Sequence, residues 1–105
     1  MLWVGGTLGR LRGFPAEARR EAGRQLHRVQ LGREPGDWKP MSAVGPGVVE
    51  IRVHVGGEYR VMYVAKLVEG VYVLHAFEKR TRQTRKADIE IARRNLAVGL
   101  KHTVR

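Results

Sequence analysis

The chain has no cysteine. Disulfides, thiolate metal sites and a cysteine nucleophile are therefore excluded. It has one serine, Ser42, in no nucleophile-elbow setting, so a serine triad has no support. The four histidines stand at positions 27, 54, 75 and 102 with no paired spacing, and the carboxylates form no ligand cluster. Neither a metal nor another cofactor is expected. The glycines near Gly45 and Gly56 lack a phosphate-loop pattern and read as turns. Long apolar runs are missing too. The opening MLWVGGTLGR is too short and glycine-rich for a signal peptide or a membrane span, so a cytoplasmic protein without a membrane partner is expected. The 105 residues make one domain, 1–105, with no repeat, linker or low-complexity tail.

Acid is also scarce. Twenty Lys and Arg against ten Asp and Glu give a net charge of +10 and a pI near 11.1. Such a balance favours an anionic partner, nucleic acid or an acidic protein, and is silent about fold. Arginine outnumbers lysine, and guanidinium forks match phosphate geometry. The cations crowd the end of the chain: His75 to Arg105 carries nine basic residues and three acids.

Patterning gives the elements. Trp3-Val4 reads as a short strand, and Thr7 as the cap of a brief helical turn with Leu8 and Leu11 inward. Pro15 suits the first position of a longer helix whose inner stripe is Ala18, Ala22, Leu26 and Val29, stopped by Gly32. The loop REPGDWKPMSAVGPG is extended or turned. VVEIRVHV and EYRVMYVAK then alternate as strands around Gly56-Gly57. A three-residue loop, Val55-Gly56-Gly57 with Gly57 left-handed, pairs His54 with Glu58 and Arg52 with Arg60. That register gathers Val49, Ile51, Val53, Tyr59, Val61 and Tyr63 on one face, whereas a one-residue slip puts arginine among them. A turn over Leu67 to Gly70 leads to Val71–Phe77, apolar on both faces and so covered on both. Thr84 can cap a last helix through about Val98, with Ile89, Ala92 and Leu96 inward.

What chemistry remains is cationic. Arg52 opposite Arg60 is a like-charge pair that folding alone rarely selects, unless Glu50 or Glu58 neutralises it. The pair reads either as two solvated, snorkelling arginines or as a phosphate clamp. His75, on the strand parity of Val71, Val73, Phe77 and Lys79, reads either as a core histidine or as a proton carrier near neutral pH. Lys79 and Arg80 follow that strand on opposite faces. Arg82, Arg85 and Lys86 stand at the entrance to the last helix, where cations oppose the helix dipole, which tilts them towards phosphate. Trp38 reads as a plug at the edge of the core, with Lys39 beside it as a further RNA contact.

The segments FPAEARREAGRQLHRVQLGREPGDWKPM, GVVEIRV, EYRVMYVAK, VYVLHAFEKRTRQT and ADIEIARRNL, in this order, resemble the phage-derived, HigB-like branch of the RelE/ParE toxin superfamily. The resemblance runs from about Trp3 to Leu96. It implies an α+β fold with two N-terminal helices on a small twisted antiparallel sheet and a C-terminal helix. It implies a toxin held by a cognate antitoxin, in this branch typically a helix-turn-helix protein. RelE-like members are metal-free, ribosome-dependent mRNA endonucleases in which a 2′-hydroxyl attacks the adjacent phosphate. ParE-like members on the same scaffold poison DNA gyrase, and a non-catalytic phage-derived nucleic-acid binder is a third possibility. By position, Arg60 matches the arginine that clamps the scissile phosphate and Arg52 the basic residue of the preceding strand. Arg80 matches a further active-site arginine with Lys79 beside it, and His75 the histidine of the LHAF motif. The tyrosine that RelE-type enzymes often carry beyond the Arg80 position has no counterpart between Tyr72 and the end of the chain.

Overall fold

A computed structural model describes residues 1–66 and 70–103. In chain order it contains β1 (Leu2–Trp3), α1 (Thr7–Arg12), α2 (Ala16–Gln30), β2 (Trp38–Pro40), β3 (Val48–His54), β4 (Glu58–Lys66), β5 (Gly70–Glu78) and α3 (Lys86–Thr103). The result is a mixed α+β fold with five strands and three helices, the last at the C-terminal end. Of the turn expected at Leu67 to Gly70, only Gly70 falls within the described residues.

The sheet runs β1-β5-β4-β3-β2. Two of its features depart from the sequence reading. β1, the short first strand read near Trp3-Val4, lies parallel to β5, so the sheet is not wholly antiparallel. The proline-rich loop also contributes an edge strand, β2, antiparallel to β3. Pro40 has no N–H to donate to a ladder, which is tolerable only at an edge, and here it ends the strand.

Each face of the sheet carries its own core. On one face, Ala18, Ala22, Leu26 and Val29 of α2 join Ile51, Val53, Tyr59, Val61, Tyr63, Val71, Val73 and Ala76. The expected helical stripe is the buried one. On the other, Ala92 of α3 joins Val48, Met62, Val64, Tyr72, Leu74 and Phe77, with Ile89 and Leu96 packed against them. Covered on both faces, β5 is buried from Val71 to Phe77.

Local chemistry shifts several helix ends. Pro15 occupies the N-cap with ψ 150°, so α2 starts at Ala16 rather than at the proline. The Thr7 hydroxyl donates to the Val4 carbonyl (2.6 Å) and gives α1 no cap bond. Thr84 turns towards Glu50 (Oγ1 to Oε2, 3.5 Å) instead of capping α3, which starts at Lys86 and runs beyond Val98.

The β3–β4 register is the one chosen by the apolar pattern: Arg52 faces Arg60 and His54 faces Glu58. Its left-handed residue, however, is Gly56 (φ +66°), with Gly57 at φ +158°. A bulge then breaks the β4–β5 ladder. Met62 pairs with His75 and Tyr63 with Val73, which leaves Leu74 without an opposite residue. His75 is thereby turned off the face of Val71 and Val73, contrary to simple alternation. It joins Phe77 on the α3 side.

Candidate functional site

The α3 side of β3 and β4 holds the arginine pair. Arg60 is buried (5 % exposed). Its Nη1 donates to the Tyr59 carbonyl (3.0 Å) and to Glu58 Oε1 (3.1 Å), and its Nε lies 3.7 Å from Glu50 Oε1. Arg52, directly opposite, has a buried Nε without a hydrogen-bond partner. Glu50 stands two residues before Arg52 on the same face and is completely buried. Across the β2–β3 ladder from Glu50 is Lys39, whose Nζ comes to 4.0 Å of the same carboxylate oxygen.

Lys79 follows β5 and is held by its backbone N–H, which donates to the Glu58 carbonyl (2.7 Å). Its pKa lies below the ordinary lysine value, first because of desolvation and then because of Arg60, with Lys39 and Arg52 acting in the same direction and Glu50 against them. One surface thus gathers Lys39, Arg52, Arg60 and Lys79 around a single buried carboxylate. The like-charge cost at Arg52–Arg60 is relieved by both acids weighed from the sequence, Glu50 below and Glu58 at the side.

Glu58 belongs to a further chain. His54 bonds both Glu58 oxygens through Nδ1 (2.8 Å) and Asp37 Oδ2 through Nε2 (2.6 Å). These two carboxylates raise the His54 pKa above 6.5, Glu58 foremost, and His54 in turn lowers that of Glu58. Asp37, His54, Glu58 and Arg60 form an unbroken polar line along the edge of the site.

Arg80 is not part of this cluster. Its Nε and Nη2 donate to Glu78 Oε1 (3.1 and 2.8 Å), and it borders a cleft of about 620 Å³ shared with Arg10, Arg85, Tyr59, Phe77 and Asp88. Alternation across the strand end sends Lys79 and Arg80 to different sides, as their parity implied. Arg82 and Lys86 are exposed, the latter as the first residue of α3. Trp38 lines a small hollow with Val29, Val49 and Tyr63 at the edge of the α2-side core, which is the plug role.

His75 is completely buried. Its ring stacks on Phe77 (centroids 4.9 Å apart, 20° between planes), and Nε2 meets Asp88 Oδ1 at 2.8 Å. Burial lowers its pKa below 6.5, Asp88 opposes that shift and Arg10 adds to it. The sequence reading missed Asp88 as the partner of His75, and it treated Glu50 as an outward residue of an alternating strand. The nearness of Glu50 to the arginine pair was weighed from the sequence; its complete burial was not.

The arrangement suits an anion rather than a cation. Among the described residues no three His, Asp or Glu side chains are grouped to hold a metal ion, and no helix is long and apolar enough to cross a membrane. Four cations, one of them buried and three partly exposed, over one buried carboxylate leave an excess of positive charge that a phosphate would neutralise. This fold and this basic face occur on a chain whose residues 10–97 match the family described as phage-derived protein Gp49-like (DUF891). The chain belongs to that family, which is associated with RelE/ParE-like toxins of toxin–antitoxin systems. No curated protein matches the chain.

Proposed function

We propose that this protein is the toxin of a type II toxin–antitoxin system, of the HigB-like branch, and that it cleaves mRNA on the ribosome. The observation that carries the reading is the opposed pair Arg52–Arg60, kept with Lys39 and Lys79 on one face despite its cost to folding. In the reaction the substrate's 2′-oxygen attacks the adjacent phosphorus and the P–O5′ bond breaks. A 2′,3′-cyclic phosphate and a 5′-hydroxyl result. One proton leaves the 2′-oxygen and one is delivered to the 5′-oxygen, so the step balances without a co-reactant.

Arg60 and Arg52 hold the non-bridging oxygens, where charge builds in the pentavalent state. Removing one such donor typically costs 10²–10³ in rate. Lys39 and Lys79 balance the remaining charge. Lys79 also suits the proton transfers, because desolvation and neighbouring cations let it release a proton more readily than an ordinary lysine. His75 is sealed from solvent; it acts through Asp88, fixing the start of α3 beside the site. Arg80, with Arg85 and Arg10 at the neighbouring cleft, takes flanking phosphates, and Arg82 and Lys86 extend that track. The +10 charge supplies affinity for ribosome and mRNA. The cognate antitoxin, a helix-turn-helix protein, covers these cations and so silences them.

The test is reconstituted translation with the protein added and new mRNA 5′ ends mapped, beside a ribosome-free control. Cuts that need the ribosome and vanish with Arg60→Ala are the expected result. Intact mRNA from folded protein, together with gyrase-dependent DNA breaks, would transfer the chain to the ParE-like class.

A further inference from the structure

Glu50 is the fully buried carboxylate of the basic face, a group with no place in a phosphate clamp. A carboxylate repels phosphate, and a fully buried one is costly unless it is paired and hydrogen-bonded. This one is only half provided for. Oε2 receives a long contact from the Thr84 hydroxyl (3.5 Å). Oε1 has no hydrogen-bond partner among the described residues, although Arg60 Nε and Lys39 Nζ stand 3.7 and 4.0 Å from it. Both cations are near enough for attraction and too far for a bond. Arg60 Nε and Arg52 Nε are likewise buried without hydrogen bonds. Three charged groups, each with one buried atom lacking a hydrogen bond, describe a cluster in which these atoms are held apart from their best partners.

Side-chain placement explains why. Glu50 rises from the middle of β3 between Lys39 of β2 and Met62 of β4 and is wholly covered, whereas Arg52 and Lys79 are partly exposed. It cannot touch a substrate. It can, however, keep four cations from repelling one another while the site is empty.

We propose that Glu50 is a positioning residue, the resident counter-ion of the Lys39–Arg52–Arg60–Lys79 face, whose share of the cations' charge is taken over by an incoming phosphate. This deepens the nuclease reading and rests on it for the identity of the phosphate. A resident counter-ion weakens ground-state anion binding and in exchange fixes the direction of Arg60. Glu50 also acts on Lys79 and keeps its proton more firmly held than the surrounding cations alone would allow.

The test uses the full chain with Glu50→Gln and Glu50→Asp, and inorganic phosphate and a 2′-deoxy trinucleotide as probes that cannot be cleaved. A unit charge about 10 Å from the phosphate, on the far side of the Arg60 guanidinium, is worth on the order of one decade in affinity at an effective dielectric constant near 20. Glu50→Gln should therefore bind phosphate about tenfold more tightly, whereas Glu50→Asp, which keeps the charge, stays near wild type. On programmed ribosomes Glu50→Gln should lower kcat and KM together, and the limb of the pH profile due to Lys79 should move to lower pH. In the wild type, the Glu50 carboxyl ¹³C resonance should shift on adding phosphate while that of exposed Glu17 does not, which keeps the test open if Glu50→Gln fails to fold. Unchanged or weaker phosphate binding by a folded Glu50→Gln, or a Glu50 resonance indifferent to phosphate, would overturn the proposal. Phosphate binding as described without any RNA cleavage would leave the counter-ion role standing and remove the nuclease reading instead.

Discussion

Replacing Arg52 by methionine should make the protein more stable and less active. Arg52 stands directly opposite Arg60 on the ladder. Like charges so placed cost about 0.2–1 kcal/mol relative to neutral pairs. Its Nε is buried with no hydrogen-bond partner, and such a group forfeits about 1–3 kcal/mol when wholly sealed. Arg52 is only half-buried, so much of that second figure is recovered by water at the rest of the guanidinium. Methionine keeps the apolar stem that covers the sheet. Glu50 loses one neighbouring cation but keeps Arg60 and Lys39. The net expectation is a gain of about 1 kcal/mol, or roughly 4–8 °C in Tm for a domain near this size. Urea titration and a thermal melt at constant ionic strength would read it, and cleavage on programmed ribosomes should fall about 100-fold in the same preparation. A variant less stable than wild type by 1 kcal/mol or more would refute the reasoning. Arg52 would then be a structural residue, and the pair would have no need of function to explain it.

Exposed His54 and buried His75 should pull stability in opposite directions as pH changes. His54 has its pKa raised by Glu58 and Asp37, so its contribution is complete below pH 6.5 and is lost as pH rises through the folded value; His54→Gln should abolish that loss in a pH series of melts. His75 has its pKa lowered by burial, so its contribution is complete above pH 6.5 and disappears as pH falls through the folded value; His75→Phe should remove that acid-side slope. Leu26→Ala, at the centre of the α2-side core and 1 % exposed, should cost about 2–5 kcal/mol in urea titration with the basic face unaltered. Gly99→Ala should destabilise by about 1–3 kcal/mol although alanine favours helix, because its Cβ would stand 2.7 Å from the Tyr72 ring.

Much of this architecture was legible because it obeys periods. The α2 stripe followed from 3.6-residue spacing, and the β3–β4 register from the rule that arginine must not share a face with Ile51 and Val61. Where a non-local partner decides, local pattern misled. Thr84 looks like a helix cap, yet it reaches Glu50, 34 residues away. β2 has three residues and a proline, too little for a propensity argument, and exists because β3 offers it an edge. The bulge at Leu74 is invisible to alternation, and it alone moves His75 to the α3 side. For the site, like-charge opposition pointed to Arg52 and Arg60. Asp88 was missed because its partner His75 comes from another element, and Glu50 was weighed as a neutraliser without its burial being foreseen; the resemblance grouped Arg80 with Lys79 although their parity already set them on opposite faces.

The central claim is that this basic face cleaves RNA through the substrate's own 2′-hydroxyl. The most direct measurement programs ribosomes with an mRNA carrying a single 2′-deoxy nucleotide at the cut site, beside its all-ribose twin, and treats each with wild type and with Arg60→Ala. Wild type should leave a 2′,3′-cyclic phosphate on the ribose mRNA and nothing on the deoxy one, and Arg60→Ala should cut neither. Cleavage that survives the deoxy substitution, or that proceeds equally well without Arg60, would contradict it.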